Sequence, residues 1–475
     1  MSANDRSDVE RRLGRYRAAL EDWDDFAEAM RAPLPTVVWA NPERLDRDAL
    51  AAILDASGVP SEPVGWEPHA LRLPTATRPG KHWAHWAGLY YVQEEASLVP
   101  VRALDPRPGE RVLDLCAAPG SKTARIAFAL GNRGTVVAND RNAGRLAANA
   151  ASILRLGLRN VTCTAGDGTA FPLDAGRWDA VLVDAPCSGE GTPGDPREPT
   201  DPEFRRAIAG TQRALLRRAA RLCRPGGRIV YSTCTLAPEE NEAVIDDVLA
   251  RTPSLRAVPV PPIAGLPLSE ALPAWDGRPF AAPVRHARRL WPHRHGTDVF
   301  FVALLDKDAA APANEDRSTP VTEVAPDARE SATVRRFARD FGIPLEALAG
   351  HRVLERGRYA RLVADDHRLP AGAKHVATGL TVHRNHVRGP KLATGAALWL
   401  GPRATRRLAE VDPAGAAVYQ AREPLPLRDA RLRGCERDGY VVLRVDGHAL
   451  GLGQLRRGHG AILSEFPKAW SRQTI

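Results

Sequence analysis

Between residues 109 and 305 the chain repeats one pattern: a short Val/Ile/Leu-rich run, a polar or glycine-rich turn, then a stretch of helical spacing. The runs cover 111–116, 134–139, 161–165, 178–184 and 228–232, and the helical stretches 122–130, 143–156 and 203–222. Runs that do not alternate with polar residues read as strands buried on both faces, and the helices between them supply the crossovers of parallel pairing. The pattern predicts a doubly wound α/β sheet. In such sheets ligands bind beyond the carboxyl ends of the strands, so those five ends are where function is sought. A proline-rich span at 252–283 reads as irregular, and 298–305 (DVFFVALL) predicts a final strand.

The flanks are less regular. Residues 1–75 read as a mainly helical region for packing or RNA binding. Leu13, Tyr16, Ala19, Leu20, Trp23 and Phe26 recur at helical spacing within 9–32, and a second helix spans 46–57 before Gly58. The aromatic stretch 82–104 (HWAHWAGLYYVQEEASLVPVRAL) reads first as packing against the sheet. Its alternative role is a lip where Tyr90, Tyr91 and Gln93 meet a base. Acidic, Ala/Pro-rich 306–331 lacks periodicity and reads as a linker. Beyond it, 332–475 predicts a helix at 332–341 and then short strands with glycine turns, a separate α+β or small β-barrel domain.

Lys plus Arg exceeds Asp plus Glu by 66 to 57, for a net charge of +9. That balance suits a polyanionic partner without demanding one. Arg11, Arg12, Arg15 and Arg17 give the first helix a basic side, read as a solvated face before an RNA contact. The six cysteines form no CxxC pair or Cys/His cluster, which points to a reducing, cytoplasmic setting. The start lacks the apolar core of a signal peptide, and no apolar run approaches the ~20 residues that span a bilayer. His286, His293 and His295 have no cysteine or acid at ligand spacing, so no metal is expected.

The first strand ends VLDLCAAPGSKT. A P-loop needs Gly directly before the Lys, where Ser121 stands, and a second Gly where Leu115 stands. A dinucleotide fingerprint needs three glycines, and only Gly120 is present. A phosphate-free cofactor needs only a tight turn and a helix N-terminus for a carboxylate, which fits S-adenosylmethionine. Asp140 closes the second strand (VVAND), where it can accept both ribose hydroxyls, and Asp167 follows the third (GDGTAFP), placed to bond an adenine amino group. Three such ends in order read as a methyltransferase.

The fourth strand ends VDAPCSGEGT, not in the Asp/Asn-Pro-Pro-aromatic run that grips an exocyclic nitrogen. The fifth runs into YSTCTLAPEENE. Alone, Cys234 reads as a small buried residue, because free cysteine is among the most buried types. With Cys187 and Asp184 one strand away, two thiols and a carboxylate beside a methyl donor point instead to methylation at carbon. There a thiolate added to the ring activates the target.

In these stretches the chain resembles the Sun-type RNA cytosine-C5 methyltransferases, and within them the RsmF-like ribosomal-RNA enzymes. The matching segments are HWAHWAGLYYVQEEAS, VLDLCAAPGSKT, VVAND, GDGTAFP, VDAPCSGEGT, YSTCTLAPEENE and RLWPHRHGTDVFFVALL, in order over roughly 80–305. GYVVLRVDGHALGLGQL and FPKAW resemble the family's C-terminal region more loosely. The resemblance implies a Rossmann-like class I methyltransferase sheet over 76–305 and a PUA-like RNA-binding domain over 332–475. It implies that Cys234 attacks C6 of cytosine, that Cys187 assists product release, and that Asp184 holds the cytosine edge. Cys116, Ala117, Ala118, Pro119, Gly120, Ser121, Lys122, Asp140, Asp167 and Asp184 would bind S-adenosylmethionine. The implied partner is RNA, with 16S rRNA first, free or within a ribosomal subunit. A tRNA substrate, or an assembly factor with secondary catalysis, are the alternatives. DNA is disfavoured, because DNA cytosine methyltransferases use the Pro-Cys thiol after strand four and would not need Cys234. The chain departs from the family after GEGT, where TPGDPREPTDP follows and Arg197 stands for a basic residue, and in the polar stretch GLTVHRNHVRGPKLATG.

Overall fold

The computed structural model describes residues 3–193, 201–384 and 391–474. Its centre is the expected sheet. Strands β1 (Arg111–Asp114), β2 (Thr135–Asp140), β3 (Val161–Ala165), β4 (Trp178–Asp184) and β5 (Cys223–Thr233) pair in parallel in the order β3-β2-β1-β4-β5. The antiparallel β6 (Phe300–Lys307) then pairs with β5, Phe301 opposite Thr233. Helices α1 (Ser121–Ala129), α2 (Ala143–Leu156), α3 (Pro202–Leu222) and α4 (Glu242–Arg251) make the crossovers. Strand order reverses at β1, which places the binding crevice over the ends of β1 and β4.

The strand residues are buried on both faces, as continuous apolar runs require. Val112, Ala138, Leu182 and Val230 pack with Ala124, Ile126, Leu146 and Ile153 on one side. Leu113, Val137, Val181 and Ile229 pack with Leu215, Leu216, Val244 and Ile245 on the other.

The flanks correct three expectations. Residues 1–75 are not mainly helical: Thr36–Ala40, Glu62–Pro63 and Ala70–Leu73 join Tyr90–Gln93 in a four-stranded antiparallel sheet. The run TVVWA has no helical period and buries its last four residues, which signals a strand at Thr36–Ala40. The helices at Ala3–Leu13, Trp23–Ala29 and Arg47–Ala56 form near the expected places, the last capped by the Asp46 side chain. Second, 306–331 is not a free linker. Lys307 ends β6, Asp316 pairs with Arg111 at 2.6 Å, and Thr319–Pro320 pairs with Arg368–Leu369.

Third, the C-terminal region is not a detached unit. Strand His375–Thr378 extends the central sheet by pairing antiparallel with β3. Four more strands (His351–Arg356, Tyr359–Ala364, Leu380–Arg384, Lys391–Leu392) form one sheet, and a six-stranded mixed sheet follows. Aromatics of the 82–104 stretch bind these parts together. Trp86 meets Trp470 at 5.3 Å and Phe466 at 5.7 Å between ring centres. Tyr90 is fully buried and donates to the Pro79 carbonyl, and Gln93 donates to Ser97, so this stretch packs as first expected. Among the described residues no helix is long and apolar enough to cross a membrane.

Candidate active site

A cavity of about 690 Å³ opens over the carboxyl ends of the five parallel strands, within the range of small-molecule sites. Its wall includes Cys116, Ala118 and Pro119 after β1, Asp140 at the end of β2, Asp167 after β3, Asp184 at the end of β4 and Cys234 after β5. One row of strand ends thus brings together residues spread over more than a hundred positions. Ala117, Gly120, Ser121 and Lys122 stand behind this wall. Ala117 donates its N–H to the Asn139 carbonyl at 2.8 Å, and Gly120 opens α1 at φ +111°. A Cβ at Gly120 would lie 2.7 Å from the Asn149 side chain, so glycine is required there.

These residues fit S-adenosylmethionine. Asp140 is held rigidly: its carboxylate accepts the Ala118 N–H at 3.2 Å and the Asn142 N–H at 2.8 Å, leaving further acceptor capacity at each oxygen. Asp167 accepts from the N–H and hydroxyl of Thr169. The first turn of α1 has no side-chain cap, so its N–H groups are available to a carboxylate.

The cavity wall carries Cys234, and Cys187 stands next to it. Cys187 Sγ is 3.4 Å from Cys234 Sγ. Neither is oxidised; all six cysteines are free. Cys234 is exposed while Thr233 and Thr235 on either side are buried, so the turn turns only the sulfur outward. The hydrogen bond from Cys187 lowers the Cys234 pKa; burial and the Asp184 charge oppose this, and Lys122 assists it. The same hydrogen bond, with burial, pushes Cys187 well above the usual thiol range. The contact therefore favours ionisation of Cys234 over Cys187, which keeps its proton the longer.

Asp184 completes the group. Its carboxylate accepts the Ser232 hydroxyl at 2.7 Å and pairs with Lys122 Nζ at 2.7 Å. Burial works against the Lys122 ammonium, but Asp184 outweighs it and the pKa of the lysine is raised. Lys122, expected in the cofactor loop, also pairs with Asp184 and lies close enough to favour the Cys234 anion. Beneath it, burial raises buried Asp114 to about 7, against a hydrogen bond from Thr123.

Sequence reasoning singled out the stretch YSTCTLAPEENE, in which Thr233, Thr235 and Asn241 shape the turn. Thr233 donates to Asn241, whose amide donates to the Thr235 carbonyl at 2.8 Å. It missed Glu240, which accepts the Ser188 N–H at 3.0 Å and the Gln212 amide at 2.9 Å, and so ties the Cys187 loop to the Cys234 turn. It also missed Arg145, which donates to the Ala118 carbonyl at 2.7 Å on the cavity wall. Glu240 sits inside the PEENE motif, but Gln212 and Arg145 are single polar residues on helices and carry no sequence signal. Arg197 lies outside the described residues.

The histidines are structural. His293 is 2.9 Å from Asp22, His295 meets the Pro267 and Trp291 carbonyls, and His286 meets the Ala257 carbonyl. Among the described residues no three His, Cys, Asp or Glu are grouped to hold a metal ion. The arginines of the first helices are paired: Arg11 and Arg12 with Asp8, Arg15 with Glu239, and Arg17 with Glu10.

Known proteins are similar to this chain. A family model described as 16S rRNA methyltransferase RsmB/F matches residues 101–306, and one described as the N-terminal domain of 16S rRNA methyltransferase RsmF matches 13–95. The chain is 35% identical over 365 residues to ribosomal RNA small subunit methyltransferase F of Klebsiella pneumoniae (strain 342), covering 73% of each protein. It is also 35% identical to the 28S rRNA (cytosine-C(5))-methyltransferase of Mus musculus, over 66% of this chain but 40% of that protein. Among solved structures, a methyltransferase homologue from Pyrococcus horikoshii superposes with a TM-score of 0.55 at 30% identity, over 65% of this chain and all (100%) of that one. NSun6 of P. horikoshii, solved with SFG, superposes with a TM-score of 0.54 at 22% identity, covering 64% of this chain and 98% of that one, and shares the fold.

Proposed function

The chain belongs to the RsmF group of the 16S rRNA methyltransferase RsmB/F family, and from that membership we propose how it methylates carbon 5 of cytosine in ribosomal RNA, with Cys234 as the nucleophile. The observation that carries the assignment of roles is the thiol pair: two sulfurs in contact at adjacent strand ends, Cys234 made the more acidic, beside an Asp–Lys pair. S-adenosylmethionine, held by the 116–122 loop, Asp140 and Asp167, supplies an electrophilic methyl group to this site.

Carbon 5 of cytosine is a poor nucleophile. Addition of Cys234 Sγ to C6 makes C5 an enamine carbon able to take that methyl group, which divides one hard step into easier ones. Asp184 uses its remaining lone pairs to accept from the N4 amino group at the cytosine edge, steadied by Ser232 and Lys122. Once Cys234 is bonded to carbon it no longer carries the negative charge that kept the proton on Cys187. Cys187 then releases its proton to solvent in the cavity and takes the proton from C5. The C5–C6 double bond re-forms, Cys234 leaves as the thiolate, and Cys187 again donates to it. The net product is one released proton, as methyl transfer from a sulfonium requires. A target inside a helix has to be flipped out first, at a cost of a few kcal/mol.

We assign 16S rRNA as the substrate, the cytoplasm as the place of action, and RNA docking to the PUA-like 332–475 region. Mapping 5-methylcytosine in 16S rRNA and tRNA of cells with and without this protein tests the substrate. A site lost from 16S rRNA alone supports it, and a site lost from tRNA alone overturns it. Comparing naked 16S rRNA with assembled subunits as substrates then decides the assembly stage.

A further inference from the structure

One residue of the VDAPCSGEGT motif has no part in the chemistry above, yet it touches both cysteine loops. Glu190 lies three residues after Cys187. Its backbone carbonyl accepts the N–H of Leu236, two residues after Cys234, at 2.9 Å. Its carboxylate is 8% exposed and bound at both oxygens: one accepts Arg205 Nη1 of α3 at 2.7 Å, the other the hydroxyl of Tyr16. Burial and the Glu190 charge raise Tyr16 well above its usual range, so it remains a donor.

Further contacts join the same parts. Gly191 has φ +99°, and a Cβ there would fall 2.5 Å from Leu236 Cδ1, so the loop lies directly on that side chain. Leu236 is fully buried in a cluster built mainly from Val9, Leu13, Tyr16, Leu20, Trp23 and Phe26. Arg15, beside Tyr16, pairs with Glu239 on the Cys234 turn. The turn that presents Cys234 therefore rests on a floor supplied by residues 9–30, not by the methyltransferase sheet alone.

We propose that Glu190 is a positioning residue which, fixed by Tyr16 and Arg205, holds the two cysteine loops at thiol contact, making the N-terminal helical segment a working part of the catalytic centre. The proposal rests on the assignment of Cys234 as nucleophile. Its physical basis is the stitching between the loops: the Leu236–Glu190 backbone bond and the 2.9 Å contact of Ser188 Oγ with Thr235 Oγ1. A buried carboxylate that loses one partner swings to find another and takes its backbone along. An ångström of misplacement at a reacting sulfur is enough to cost about 100-fold in rate.

Tyr16→Phe and Glu190→Gln in the full-length enzyme test this. Both are nearly isosteric, and Glu190→Gln carries the test if the other does not fold. Expected are a kcat lowered roughly 10- to 100-fold, an S-adenosylmethionine Kd within about twofold of wild type, and a higher midpoint pH for alkylation of Cys234 by iodoacetamide. An unchanged kcat and alkylation profile in both variants would overturn the positioning role. So would cofactor affinity falling in step with kcat, which reports general damage to the fold. A Cys234→Ala control separates the two claims: if it still methylates RNA, the nucleophile assignment fails. If it is inactive while the two variants behave as wild type, only the positioning role fails.

Discussion

Cys187 Sγ lies 3.4 Å from Cys234 Sγ, and the contact shifts the two thiols in opposite directions, leaving Cys234 the more acidic of the pair. Each substitution in the pair has its own signature. Cys234→Ala removes the attacking sulfur and is expected to abolish methylation, a loss of at least about 10⁴-fold as when a covalent nucleophile is deleted. Tritium transfer from labelled S-adenosylmethionine to 16S rRNA measures it.

The rate should depend on pH through Cys234. Its pKa is lowered in the fold, so the thiolate is the form that prevails above that pKa and is lost as pH falls through it. The profile of kcat/KM therefore rises with pH, with its midpoint displaced below that of an ordinary thiol. Lys122→Met removes a cation that assists the thiolate and leaves Asp184 without its 2.7 Å partner. The limb should move to higher pH, with activity at pH 7 reduced by about 100-fold.

Asp114 makes the opposite contribution to stability. Its carboxyl, about 7 in the fold against about 4 when unfolded, holds a proton in the native state that the unfolded chain has already lost. Stability from this group is therefore present at low pH and falls as pH rises from about 4 to about 7. Asp114→Asn keeps an acceptor for Thr123 and removes the titration. It should raise the melting temperature at pH 8 and flatten that dependence, as calorimetry across pH 5–8 would show.

Behind the Cys234 turn, Arg289 and Glu242 form a pair in which both side chains are almost wholly buried, joined at 2.6 Å. Arg289 also donates to the Leu236 carbonyl at 3.0 Å. Arg289→Ala leaves an unpaired buried carboxylate and should destabilise the protein by about 3–5 kcal/mol, measured by chemical denaturation. Asp140→Ala leaves the Ala118 and Asn142 N–H groups without their acceptor and should cost about 1–3 kcal/mol of stability, while weakening S-adenosylmethionine binding by about 10- to 100-fold in calorimetric titration.

The central sheet was legible because its strands are buried on both faces and the apolar runs show it. The row from Cys116 to Cys234 was legible for a related reason: parallel pairing puts the end of every strand on one edge. The four-stranded sheet of residues 36–93 was not, because three of its strands have only two to four residues. The pairing of Lys122 with Asp184 was not legible, because the sequence shows a residue's neighbours along the chain and not those across it. Glu190 and Glu240 stood inside recognised motifs, yet what they hold together is tertiary. No spacing announces that Tyr16 reaches residue 190.

The most direct test of the account is the covalent step itself. Cys187→Ala protein, incubated with 16S rRNA and S-adenosylmethionine, should accumulate a protein–RNA adduct that survives denaturing electrophoresis. After nuclease and protease digestion, mass spectrometry should find a methylated cytosine attached through Cys234. An adduct through another cysteine, or 5-methylcytosine formed by Cys234→Ala protein, would contradict it.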